Sequence, residues 1–135
     1  MLGSLALLGS SARGGEESLP PSVVVLQYHF VATDTPASTS VTPAQFAAHL
    51  EAIDASGATV LPLAEALEAL QAGRTLPETA LAITFDDGYE SIAEAAHPLL
   101  RARGWPYTIF VNPEPIDGRH GGFLSWDQLR QLATE

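Results

Sequence analysis

Apolar and polar positions alternate between two periods along this chain. Val23-Val24-Val25-Leu26 is β-branched and apolar until Gln27-Tyr28-His29, which reads as a buried strand ending in polar residues. Thr33 to Ser40 has no period and reads as a polar loop. Thr42-Pro43-Ala44-Gln45 combines an N-cap, a proline at the first helical position and a capping-box Gln. A helix is therefore predicted from there to about Ser56, burying Phe46, Leu50 and Ile53, with Gly57 as its stop. Ala58 to Leu61 predicts a second strand. Leu63 to Ala72 predicts a second helix with Leu63, Leu67 and Leu70 as its buried stripe and Gly73 as its stop.

Ala80-Leu81-Ala82-Ile83-Thr84-Phe85 is a nearly continuous apolar run, the mark of a strand in a sheet covered on both faces, and Asp86-Asp87-Gly88 turns the chain out of it. Ser91-Ile92-Ala93-Glu94 reads as another capping box, opening a helix to Arg103 that Pro98 should kink near His97. Tyr107 to Val111 predicts a fourth strand, a glycine-containing loop follows, and Ser125-Trp126-Asp127-Gln128 predicts a last helix. Strands alternating with helices across short connections imply right-handed βαβ units and a mostly parallel α/β sheet.

Composition narrows the function. Sixteen acidic residues stand against six arginines and no lysine, a formal net charge of −10, which disfavours nucleic acid or an anionic membrane surface as a partner. The absence of cysteine excludes disulfides, thiolate metal sites and a Cys nucleophile. Leu2 to Leu8 followed by Ser10-Ser11-Ala12 resembles the end of a secretory signal without its basic segment, so residues 1–20 read as a clipped signal peptide or a disordered leader. That stretch is too short to span a bilayer. The pattern leaves the oligomeric state open.

Two carboxylates at one strand end can simply favour the positive end of the helix that follows. They also repel, which favours dividing them between a proton-accepting role and a metal-ligand role. His29 ends the first strand and opens into the same crevice if that strand lies near the central one; a structural histidine is the plainer reading. His49 falls on a helix flank, and His97 and His120 read as structural or solvated. No two histidines have an H-x-x-x-H spacing. The spacing of acidic residues fits neither an EF-hand nor an aspartyl-phosphate enzyme, and no phosphate-cradling glycine loop supports phosphoryl transfer with magnesium.

Ile83-Thr84-Phe85-Asp86-Asp87-Gly88-Tyr89 resembles the T-F-D-D-G motif of polysaccharide deacetylases (carbohydrate esterase family four), in particular the poly-β-1,6-N-acetylglucosamine deacetylase-like branch. Tyr28-His29, Ser40 to Phe46, His97-Pro98-Leu99-Leu100, Gly104 to Val111 and Leu124 to Leu129 stand in the order that family shows. The resemblance implies a partial, distorted (β/α) barrel over residues 22–135, the amino-terminal part of a deacetylase domain that stops before the family's metal-binding H-[ST]-x-x-H-type motif. It implies Asp86 as the general base, Asp87 as a ligand of a divalent metal, most often zinc, and His29 as the general acid that protonates the leaving amine. The implied activity is hydrolysis of N-acetyl groups from an exported, N-acetylglucosamine-containing polysaccharide, in the periplasm, the cell envelope or outside the cell. A chain without the histidine pair is expected to be incompetent by itself, and the rival reading is a non-catalytic glycan-binding fragment or pseudoenzyme.

Overall fold

The computed structural model describes residues 20–135. The proposed leader lies outside the described residues, apart from Pro20 itself. Four strands make one parallel sheet: β1 (Val24–Tyr28), β4 (Thr59–Val60), β5 (Ala80–Asp87) and β6 (Thr108–Val111). The central β5 pairs with β1 along residues 81–85 on one edge. Its other edge is shared, with β4 beside residues 80–81 and β6 beside residues 84–87. Two short strands, β2 (Phe30–Val31) and β3 (Ser40–Val41), form a separate parallel pair on either side of the polar loop, with only Ser40 of the loop taking part. Among the described residues the sheet does not close on itself. No described helix is long and apolar enough to cross a membrane.

Parallel register puts alternate residues of neighbouring strands on common faces. Leu26 and Tyr28 of β1, Ile83 and Phe85 of β5 and Ile109 of β6 share the face under the helices. Helix α1 (Pro43–Ser56) brings Phe46, Leu50 and Ile53 to it as predicted, with Thr42 completing the capping box and Gly57 left-handed at φ 70°. Tyr28, Phe46 and Phe85 meet there, Tyr28 edge-on to Phe46 at 5.1 Å and stacked on Phe85 at 5.6 Å. Such aromatic contacts add roughly 0.5–1.5 kcal/mol each beyond their area burial. The opposite face carries Gln27, Ala82, Thr84, Asp86, Thr108 and Phe110. It is small and polar at its centre, and Phe110 is 52% exposed.

Three helical expectations need correction. Helix α2 (Leu63–Gln71) buries Ala66 and Ala69, while Leu67 is exposed. Small residues let this helix lie close to the sheet, and steric fit outweighs the larger hydrophobe. Ser91 makes no side-chain cap; its Oγ accepts the amide of Val31 at 3.2 Å, tying the crossover to β2. The chain from Ile92 to Ala96 is a π-turn leading into α3 (His97–Arg101), the His97 amide bonding back to the Ile92 carbonyl. The wide turn lets Pro98, which lacks an amide donor and would press on the preceding turn, sit within a continuous helical path. Finally, the predicted loop after Asn112 contains a short helix, α4 (Pro113–Asp117), with Pro115 and Ile116 buried. The last helix, α5 (Trp126–Leu132), begins at the predicted Ser125 capping box. Its Leu129 and Leu132 reach the core's margin and line a cavity of about 530 Å³ with Trp105, Tyr107 and Ile109.

Candidate active site

Both aspartates lie on β5 itself rather than on the turn after it. Asp86 is aligned with Phe110 and Asp87 with Val111 of β6. The buried run from Ala80 to Phe85 anchors the strand, so its last two residues emerge half-buried at the carboxyl end of the sheet. Asp87 has φ 68° and Gly88 φ 77°. Consecutive left-handed residues turn the chain here, and the positive φ of Gly88 strains any residue with a Cβ at that position. The reversed chain is held by the Gly88 amide on the Asp86 carbonyl at 2.9 Å and the Leu124 amide on the Gly88 carbonyl at 2.8 Å.

β1 delivers the partners of Asp86. Gln27 is opposite Thr84 and Tyr28 opposite Phe85, so one further step of the ladder brings His29 level with Asp86. His29 Nε2 is 3.7 Å from Asp86 Oδ2, and the Gln27 side-chain amide donates a hydrogen bond to the same oxygen. The structure thus brings His29 to Asp86, while Asp87 follows Asp86 on β5 with no contact to His29. Gln27 is the residue that sequence reasoning missed. Its one signal was that it interrupts an apolar strand two residues before His29, on the same face. A cavity of about 290 Å³ adjoins this corner, lined by Gln27, His29, Phe30 and Ser38 to Val41.

Asp87 faces a different environment. Tyr89 stacks on Phe30 at 3.7 Å and lies 4.8 Å from Phe123. Burial pushes its hydroxyl above the ordinary phenol range, and the nearby Asp87 carboxylate adds to the rise. The other histidines lie elsewhere. His49 Nδ1 is 3.2 Å from the Tyr28 hydroxyl on the flank of α1. His97 is bonded to the Tyr107 hydroxyl at 2.8 Å and to Glu135 at 2.9 Å, a structural bridge between α3, β6 and the end of the chain. Tyr107 is pushed up to about 12 by burial, then by the charge of Glu135. His120 stays in its exposed glycine loop.

Among the described residues no group of three or more His, Cys, Asp or Glu side chains could hold a metal ion. Asp87 alone supplies too few donors for the tetrahedral nitrogen and oxygen set that zinc takes. The residues present do not by themselves fit a metal centre.

The family model described as polysaccharide deacetylase matches residues 73–135, the half that contains both aspartates. Among curated proteins, YxkH of Bacillus subtilis (strain 168), a polysaccharide deacetylase by name, is 30% identical over 114 residues, covering 84% of this chain and 39% of its own length. The poly-beta-1,6-N-acetyl-D-glucosamine N-deacetylase of Escherichia coli (strain K12) is 31% identical over 93 residues, covering 58% of this chain and 14% of the E. coli protein. Among solved structures, IcaB from Ammonifex degensii superposes with a TM-score of 0.73 at 28% identity, over 84% of this chain and 49% of that one. The chain spans less than half the length of each of these relatives.

Proposed function

Because this chain belongs to the polysaccharide deacetylase family, we propose that it supplies the base, the acid and one metal ligand of a site that hydrolyses N-acetyl groups from an N-acetylglucosamine-containing polysaccharide. The observation that carries the reading is the approach of His29 Nε2 to Asp86 Oδ2 at 3.7 Å, two residues 57 positions apart brought to one strand end. Asp86 accepts a proton from the attacking water. His29, protonated, gives one to the departing amine. The two groups are close enough to serve opposite ends of one amide bond. Asp87 sits in a left-handed turn next to Asp86, which suits a separate role as metal ligand.

A divalent metal, zinc in the reading adopted here, would polarise the acetyl carbonyl when bound. Since one carboxylate does not make its site, the remaining ligands are proposed to be imidazoles from residues beyond these 135. Residues 22–135 are then one part of the deacetylase domain, and export to the envelope or beyond follows from the polymer substrate. The test uses the longest product of the reading frame. Asp86→Asn is expected to abolish acetate release from an N-acetylglucosamine oligomer while keeping bound metal, and Asp87→Ala to lose both. Equal metal loss in the two variants would reverse or merge these roles.

A further inference from the structure

We propose that Gln27 is a positioning residue for the base: it fixes the Asp86 carboxylate through Oδ2, so that Oδ1 faces the reacting water and His29 keeps its proton for the leaving amine. The inference rests on the deacetylase reading for its consequence in catalysis, but its geometry stands on the strand register. An aspartate's terminal torsion is broad and nearly two-fold, so an unanchored carboxylate exchanges its oxygens freely. A base that must present one oxygen to water needs a donor on the other. Two side chains approach Oδ2 of Asp86. His29 Nε2 stands at 3.7 Å, beyond hydrogen-bond range, whereas the Gln27 amide donates to that oxygen directly. No hydrogen bond from the described residues reaches Oδ1.

The arrangement separates two duties that would conflict on one residue. A histidine that anchored Asp86 by a full hydrogen bond would commit its proton to the base. With the amide as anchor, His29 remains beside the carboxylate yet uncommitted. Gln27 suits the task because its amide cannot titrate and carries no charge that would neutralise the base. Its place on β1, two residues before His29 and opposite Thr84, puts both side chains on the face that carries Asp86. The position is specific to that register: a one-residue slip would turn Gln27 to the aromatic core face.

Three substitutions separate positioning from space filling. Gln27→Leu removes the donor. Gln27→Glu keeps the shape but turns a carboxylate on Asp86, and Gln27→Lys restores a donor. Acetate release by the longest product of the reading frame is expected to lose roughly 10- to 100-fold in kcat with Leu, more with Glu, and less with Lys, while KM and metal content hold. Gln27→Glu at wild-type kcat, or a loss expressed wholly in KM, overturns the proposal. A second readout does not need activity. The Gln27 side-chain amide protons, followed by nitrogen-resolved NMR, are expected to move toward free-amide positions in Asp86→Ala. If the wild-type protein releases no acetate, the deacetylase reading has failed, and these resonances alone decide the anchor; unmoved resonances overturn it.

Discussion

Replacing Asp87 should reverse the usual order of alanine and glycine. At ordinary strand positions glycine is the worse of the two by about 0.5–1 kcal/mol, because its backbone loses more freedom on folding. Asp87 has φ 68°, where an L-residue with a Cβ is strained by roughly 1–2 kcal/mol and aspartate is among the few that tolerate it. Asp87→Ala keeps the strain and loses that tolerance. Asp87→Gly releases the strain. After subtracting glycine's entropy cost, Gly should exceed Ala in stability by up to about 1 kcal/mol, and should lie near the wild type. For a chain of 135 residues, that corresponds to a Tm difference of up to about 3–4 °C. Thermal unfolding followed by circular dichroism on the three proteins tests it. Alanine more stable than glycine would refute a left-handed Asp87.

His29→Ala is expected to lower acetate release by roughly 10² to 10⁴ with the circular dichroism spectrum unchanged, and unaltered activity would make His29 structural. Phe85→Ala, at a fully buried ring among Tyr28, Phe46 and Tyr107, should cost about 3–5 kcal/mol in urea unfolding. A cost under about 1 kcal/mol would mean that the aromatic cluster does not set stability. Tyr107 is pushed from 10.0 to about 12, so the folded state holds a proton that the unfolded state releases first; its stabilisation is intact below pH 10 and is lost as pH rises toward 12. Tyr107→Phe should therefore flatten the fall in Tm across that window, and an unchanged slope would place the alkaline limb elsewhere.

The elements with strong local signals were legible from the chain alone. Thr42-Pro43 and Gln45 specify the start of α1 because the cap needs only backbone donors three residues away, and Gly57 specifies its end because little else adopts that left-handed cap. The run 80–85 announces a central strand because only a strand covered on both faces tolerates such continuous hydrophobicity. That Asp86, Asp87 and His29 stand at strand ends was likewise legible, since each falls where an apolar run becomes polar. Other features depended on what lies far away in sequence. The Ser91 hydroxyl serves the Val31 amide instead of its own helix, and Ala66 and Ala69 displace Leu67 from the sheet because close approach favours small side chains. The role of Gln27 belongs with these. Nothing local distinguishes a glutamine that ends a hydrophobic strand from one that meets solvent. Only the pairing of β1 with β5, residue against residue, sets its amide on Asp86, because hydrogen bonds between strands are fixed by register and register is a property of the whole sheet.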